Sequence, residues 1–153
     1  MRRRLVLIVS ATLVVATAGS VVLGAASASS KQVARKPDAR QFVGYWMGID
    51  PLDGGDSRRG ITTDDAGRFS MIGRDTVFTL CDDTDRALIT GTGSIAGSAL
   101  VFDDVVLACF GNGQKLELTV RYEPLDEHAL REVVTTRGGN PVDEIVFHRV
   151  SQP

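Results

Sequence analysis

Two small groups of residues in this chain have side chains that could perform a hydrolytic reaction. Gly55-Asp56-Ser57 has the start of a serine esterase motif, but it lies in a Gly/Asp/Pro-rich loop without the α/β setting that such a nucleophile needs. His128 and His148 are the two histidines of the chain. His128 follows a turn-forming PLDE stretch and His148 is expected on a solvated strand face, so neither offers a catalytic serine a dry, oriented base. We therefore expect no enzyme activity, and we predict no cofactor.

A cluster of carboxylates follows Cys81. Asp82, Asp83 and Asp85 could form a weak calcium site or an acidic rim that selects basic partners. The spacing lacks the glycine and the distal Glu of a calcium-binding loop. A solvated loop with no metal is therefore the prediction.

The N-terminus has the three parts of a signal peptide. Arg2, Arg3 and Arg4 precede an uncharged apolar run from Leu5 to Leu23, and Ala26-Ser27-Ala28 matches a signal peptidase site. The alternative is a retained membrane anchor, because the run is almost long enough to span a bilayer. We predict a cleaved signal peptide over residues 1–28, a flexible arm over 29–40 and one domain over 41–153. The expected location is secreted, periplasmic or in the cell envelope.

Charge limits the partners of the exported chain. Without Arg2, Arg3 and Arg4, 14 of the 17 basic residues remain against 19 acidic ones, a net charge of −5. A mildly acidic chain with no basic run is a poor candidate for binding nucleic acid. We expect a monomer with no membrane span after signal cleavage.

The two cysteines, Cys81 and Cys109, are predicted to form a disulfide. An even number of cysteines in an exported chain favours a disulfide. The chain-entropy model gives about 3–4 kcal/mol for closing a loop of roughly 30 residues. Zinc is the alternative, but the histidines are remote and the spacing matches no zinc pattern.

From Gln41 onward, short stretches of alternating apolar and polar residues are separated by turn-forming clusters. Leu116–Tyr122 (LELTVRY) is the clearest, with one buried and one wet face. Successive short strands of this kind form an antiparallel meander, which loses its exposed edges by closing into a barrel. Eight strands are predicted, at 43–50, 59–63, 68–72, 88–95, 99–107, 116–122, 129–137 and 144–150. Asp75–Cys81 (DTVFTLC) also has the pattern of a strand, which would give nine.

The single tryptophan lies in the first strand, within the frame Gly44-Tyr45-Trp46. If Trp46 faces inward, Gly44 and Gly48 share its face and leave space beside the indole. Arg149 follows Ile145 and Phe147 on one face of the last strand. Its guanidinium is well suited to stacking on Trp46.

These residues resemble the calycin signature of lipocalins and their relatives. TTDDAGRFSM (62–71), GTGSIAGSALV (91–101) and the mid-chain cysteines also resemble a loose group of small secreted bacterial lipocalin-like proteins. The resemblance covers roughly residues 42–150. It implies an all-β fold, an eight-stranded up-and-down barrel with the Trp strand and the late Arg meeting at its closed end. Gly44, Trp46 and Arg149 would then be structural residues.

The parity of the strand count tests this fold. In an antiparallel meander the end of the last strand lies beside the start of the first only if the count is even, so 75–81 is predicted to be a loop. It would lie opposite the Trp46–Arg149 plug, where Cys109 can reach Cys81. The disulfide would then hold a lid over the barrel mouth, with Phe78 or Leu80 facing inward.

The resemblance implies that the open end of the barrel binds a small apolar molecule. The expected lining residues are Phe69, Met71, Phe78, Leu80, Phe102, Leu118, Val120, Tyr122 and Phe147. Mid-strand Gly48, Gly91 and Gly93 are expected to leave volume unfilled. Two alternatives stay open: a protein-binding module such as a protease inhibitor, and a structural envelope domain without a cavity.

Overall fold

The computed structural model describes residues 37–81 and 86–150, and a sheet of eight strands dominates both ranges. The strands are β1 (Gly44–Ile49), β2 (Asp56–Thr63), β3 (Phe69–Asp75), β4 (Ala87–Ala96), β5 (Ala99–Cys109), β6 (Lys115–Pro124), β7 (Ala129–Thr136) and β8 (Pro141–Arg149). Each lies within a few residues of its predicted position.

The strands form a closed antiparallel barrel in chain order, as predicted. Each strand pairs with its successor, and β8 returns to pair with β1. This last seam is short: Trp46, Met47 and Gly48 face Arg149, His148 and Phe147. Closure pairs the first and last strands along this seam, which reduces the sheet edge exposed to edge-to-edge aggregation.

Alternation along each strand separates the core from the solvent. In β6, Leu118, Val120 and Tyr122 are buried, while Glu117 is exposed and Arg121 is half-buried on the outer face. Burying one leucine or valine side chain contributes about 1.5–3 kcal/mol. A shift of the pairing by one residue would expose this whole inward set, so the core determines the register.

One irregularity in the wall follows from two adjacent acids. The pairing of β5 with β6 shifts between Phe102 and Val105, so Asp103 and Asp104 both reach solvent. A regular strand would direct one of the two carboxylates into the core, whereas a bulge allows both to point outward. Two adjacent acids in one strand therefore account for the bulge.

The segment after β3 is a loop, as the even strand count requires. β3 ends at Asp75, and a 3-10 turn forms at Thr79–Cys81. Just after β3, Thr76 is bound to the first residue of β2: its Oγ1 accepts from the backbone N–H of Asp56 at 2.8 Å, and its own N–H donates to the Asp56 carbonyl at 3.0 Å.

Several predictions concern residues outside the described ranges. These are the signal peptide at 1–28, residues 29–36 of the predicted arm (29–40), and Asp82, Asp83 and Asp85. At the end of the predicted arm, Ala39–Gln41 form a 3-10 turn, and the Asp38 side chain accepts from the N–H of Arg40. Within the described ranges, no helix has the length and apolar character needed to cross a bilayer.

Candidate functional site

One end of the barrel, the plug end, is closed by the predicted contact between Trp46 and Arg149. The two residues are register partners across the β1–β8 seam, and the guanidinium carbon lies 4.2 Å from the indole ring centroid. Arg149 also donates hydrogen bonds to the carbonyls of Val43 at 2.6 Å and Gln41 at 2.9 Å. The indole N–H donates to the Phe42 carbonyl at 2.8 Å, so both polar groups of the plug are satisfied.

Gly44 makes this plug possible. Its backbone has φ of 143°, and an added Cβ would lie 2.6 Å from Nη1 of Arg149. Any side chain would therefore both strain the backbone and displace the guanidinium. Glycine at position 44, two residues before Trp46, thus allows the Arg149 guanidinium to lie close to the backbone and to stack on the indole.

The opposite end, the disulfide end, has the predicted covalent staple. Cys81 and Cys109 are bonded, with their Cα atoms 5.5 Å apart. Cys109 is the last residue of β5, and the segment from β3 reaches it across β4, whose Ala87 pairs with Cys109. Phe78 faces inward and is 4% exposed, while Leu80 packs partly against the same core. The disulfide is the one expected, and it holds apolar side chains over this end.

The side chains predicted to line a ligand pocket are packed against one another. The wall residues among them are at most 3% exposed: Phe69, Met71, Phe102, Leu118, Val120, Tyr122 and Phe147. The rings of Phe102 and Tyr122 meet edge to face at 5.9 Å, and those of Tyr122 and Phe147 at 6.5 Å. These residues therefore form the hydrophobic core in this structure.

The inward glycines do not leave the free volume expected of them. An added Cβ would lie 2.8 Å from Ile145 at Gly48, 2.9 Å from Val105 at Gly91, and 2.3 Å from the Val101 carbonyl at Gly93. The expectation of unfilled space at these three positions is wrong, because neighbouring strands fill it with their own atoms. The glycines serve close packing of the wall.

The centre of the barrel contains an ion-pair network that the sequence analysis missed. Arg59 from β2 is 2% exposed and binds Glu132 of β7 through two hydrogen bonds of 2.9 Å. The same guanidinium donates to the Asp75 carboxylate of β3 at 2.7 Å and 3.3 Å. The Tyr122 hydroxyl donates a hydrogen bond to the Glu132 carboxylate, and the Tyr122 oxygen lies 2.9 Å from the sulfur of Met71. The network thus ties β2, β3, β6 and β7 together.

The charges of this network stabilise one another. Burial lowers the pKa of Arg59, but the charges of Glu132 and Asp75 raise it, and the net shift is well above the ordinary value. Burial and the negative charge of Glu132 raise the pKa of Tyr122, so the phenol remains a donor. Removing one partner would leave a buried charge uncompensated, at a typical cost of about 3–5 kcal/mol.

Alternation in the sequence could have located the charged residues at inward positions, although not their pairing. Arg59 shares a strand face with Ile61, and Glu132 lies between Leu130 and Val134 on the inward face of β7. A charged residue at an inward position of a strand needs a partner of opposite charge. Which strands supply the partners depends on closure of the barrel, which brings β2 across from β7.

A pair of acids lies where the β1–β8 seam ends at the disulfide end. Asp50, just beyond β1, is 4% exposed, and Asp143 in β8 is half-buried with an unpartnered Oδ2. Burial first, and then the negative charge of Asp50, raise the pKa of Asp143 to about 7. Within the described ranges, no group of three or more His, Cys, Asp or Glu side chains could hold a metal ion.

The structure separates the residues of the esterase-like motif from both histidines. Ser57 is buried and faces inward on β2. His148 faces outward on β8, and His128 lies in the exposed turn before β7. The wall of the barrel therefore lies between the hydroxyl and the nearer imidazole.

A groove of about 660 Å³ lies on the outer face of β1, β2 and β3. Across the three strands, Tyr45 pairs with Gly60 and Gly60 with Ile72, so a residue without a side chain lies between two large ones. Tyr45 and Ile72 are 57% and 60% exposed, and Val150 at the groove margin is 44% exposed. The sequence pattern alone does not predict this groove, because the groove depends on the register between three strands.

The groove continues into a second concavity of about 510 Å³, and the two share Tyr45, Gly60, Ile72 and Val150. The second concavity extends along the strands to Arg58 and Arg74. We call the two together the outer groove.

Comparisons with known proteins assign no family. No protein-family model matches the chain, and no curated protein sequence matches it. The closed eight-stranded antiparallel barrel is consistent with the calycin-like fold that the sequence resemblance implies.

Proposed function

We propose that this protein is an exported, lipocalin-like binding protein for a small apolar molecule, and that its ligand lies in the outer groove. The observation that supports this location is the contrast between the two faces of the wall. The inward face is filled by its own side chains, whereas the outward face of β1–β3 exposes Tyr45, Ile72 and Val150 around a concavity. Clustered apolar exposure of this kind is typical of binding surfaces.

The size and composition of the groove support the proposal. Its volume falls within the range of roughly 300–1,000 Å³ that small-molecule sites occupy. Gly60 forms its floor, flanked by the Tyr45 ring and the Ile72 side chain. An aromatic ring and an aliphatic chain on either side of a bare backbone suit a flat or linear apolar ligand.

Export is supported by the covalent structure. The Cys81–Cys109 disulfide is typical of proteins that fold in an oxidising compartment. A binding function without catalysis is in accord with the positions of Ser57, His128 and His148. We therefore propose a non-enzymatic role outside the cytoplasm.

A side chain added at Gly60, on the floor of the groove, tests the proposal because it would occupy the space proposed for the ligand. A Cβ at Gly60 would lie 3.4 Å from Tyr45 and 3.6 Å from Ile72, so the Cβ of a Gly60→Val variant makes ordinary van der Waals contacts. The probe is N-phenyl-1-naphthylamine, a neutral fluorophore that brightens in apolar sites. The valine excludes ligand contact equivalent to about one or two methyl groups, and we expect roughly tenfold weaker binding.

Two further variants locate the probe. Thr119→Val adds a similar apolar group on the outer face of β6, away from the groove, and should leave binding unchanged. Phe78→Ala opens the interior under the disulfide-held segment and should also leave binding unchanged. Binding that survives Gly60→Val but changes in Phe78→Ala would place the ligand inside the barrel and overturn the proposed location.

A structural envelope domain is the second candidate, and the packed interior favours it. Such a domain would bind no apolar probe at either face. Native mass spectrometry of the protein purified from its own host separates the two functions, because a carrier retains a co-purifying small molecule under gentle conditions.

A further inference from the structure

The outer groove has an arginine pair at one end, whereas Arg149 at its other end is already bound to the Trp46 ring and to backbone carbonyls. Arg58 of β2 is directly opposite Arg74 of β3, and both are exposed. Met47 pairs with Arg58 on one side and Leu88 pairs with Arg74 on the other. This row lies two residues along the strands from the Tyr45–Gly60–Ile72 row, a separation of about 7 Å.

The two arginines are poorly compensated within the described part of the chain. Arg58 approaches one carboxylate, that of Asp56, at 3.9 Å with both side chains largely in solvent. Arg74 forms no ion pair or side-chain hydrogen bond within the described ranges. Like charges directly opposite each other on neighbouring strands are unfavourable. An anion between the two guanidinium groups would relieve that repulsion.

We propose that the outer groove binds a single-chain anionic amphiphile, its acidic head between Arg58 and Arg74 and its apolar chain along Tyr45, Ile72 and Val150. This inference rests on the proposed function and assigns the ligand class of the same site. From the arginine row the groove extends past Tyr45 to Val43, four residues of β-strand or about 14 Å. That length suits an extended chain of about a dozen carbons.

Charge excludes two other occupants. The arm before Pro37 carries Lys31, Arg35 and Lys36, and would bring further positive charge toward the arginine row. A second copy docked through the same groove, with the two-fold axis at the arginine row, would place its own arginine pair against this one. An acidic head group with an apolar chain complements both ends of the groove.

The experiment compares three probes that share a twelve-carbon chain: dodecanoate, dodecanol and dodecyltrimethylammonium. Each displaces N-phenyl-1-naphthylamine from the intact protein, below its micelle concentration. We expect dodecanoate to bind roughly tenfold more tightly than dodecanol. We expect dodecyltrimethylammonium to bind more weakly than either.

Charge-removing variants then locate the head group. Arg58→Gln and Arg74→Gln should each weaken dodecanoate roughly threefold to tenfold and leave dodecanol unchanged. Lys115→Gln is the matched control, since Lys115 is exposed at the start of β6 and its loss removes the same charge. Arg74→Lys should restore most of the dodecanoate affinity, which a merely misfolded variant would not allow.

The outcomes separate this inference from the proposed function. Equal binding of dodecanoate and dodecanol, with Gly60→Val still blocking both, would overturn the anionic head group and leave the apolar groove standing. No binding of any probe would overturn both. Binding to phosphatidylglycerol vesicles without binding monomeric dodecanoate would also overturn the single-chain ligand, because it would assign the face to a membrane surface.

Discussion

Replacing Asp143 with Asn should stabilise the barrel at neutral pH and remove part of its pH dependence. The pKa of Asp143 is raised to about 7 by burial and by the charge of Asp50. A carboxyl whose pKa is higher in the folded state than in the unfolded chain takes up a proton on folding. Its contribution to stability is therefore lost as the pH rises from about 4 to about 7, and is constant above that.

The size of this effect follows from the shift in the pKa of Asp143 and from the exposure of its side chain to solvent. A rise from 3.8 to about 7 corresponds to about 4 kcal/mol for a wholly buried group. Asp143 is only about half-buried, so solvent screening reduces the expected value to about 1–2 kcal/mol. The Asp143→Asn variant is uncharged at every pH, and should exceed the wild type by this amount at pH 8 and by little at pH 4.

Urea denaturation at pH 4, 5, 6, 7 and 8 measures the difference between the two proteins. Taking the difference cancels the other titrating groups that the variant leaves unchanged. Asp103→Asn is the matched control, because Asp103 is exposed at the β5 bulge and its replacement removes the same charge. A stability difference for Asp143→Asn that stays constant across this range, or grows toward low pH, would refute the reasoning.

Changes at three other places test the remaining contacts, and each is measured by the free energy of unfolding in urea. Arg59→Met should destabilise the protein by about 3–5 kcal/mol, because it leaves Glu132 and Asp75 as buried carboxylates without a cation, and adding Glu132→Gln should recover part of the loss. Arg149→Lys keeps the charge but loses the planar stacking on Trp46 and several carbonyl contacts, and should cost about 1–2 kcal/mol and alter Trp46 fluorescence. The double replacement of Cys81 and Cys109 by Ala should cost about 3–4 kcal/mol through greater freedom of the unfolded chain.

Each of these predictions has a contradicting result. Full stability in Arg59→Met would show that the carboxylates are neutral or hydrated without the arginine. Unchanged Trp46 fluorescence in Arg149→Lys would contradict a stacking contact between the guanidinium and the indole. The double cysteine variant should be as stable as the reduced wild type. If it were as stable as the oxidised wild type, the disulfide would contribute nothing to stability.

Local patterns in the chain predicted much of the fold. Alternation in Leu116–Tyr122 and the turn residues between the strands depend on neighbours in sequence, and they predict the eight strands. The Trp46–Arg149 plug was predicted from the calycin resemblance, and the Cys81–Cys109 bond from the even number of cysteines in an exported chain. The bulge at Asp103-Asp104 also has a local cause, because a regular strand would direct one of two adjacent acids into the core.

The tertiary structure alone decided what the two faces of the wall contain. Whether a glycine leaves space depends on side chains from other strands, and Ile145, Val105 and the Val101 carbonyl fill the positions beside Gly48, Gly91 and Gly93. Of the two carboxylates that pair with Arg59, Asp75 lies on the neighbouring strand β3, whereas Glu132 lies on β7, which only closure of the barrel brings near β2. The outer groove likewise depends on strand register, because Gly60 forms a concavity only where Tyr45 and Ile72 lie on either side of it.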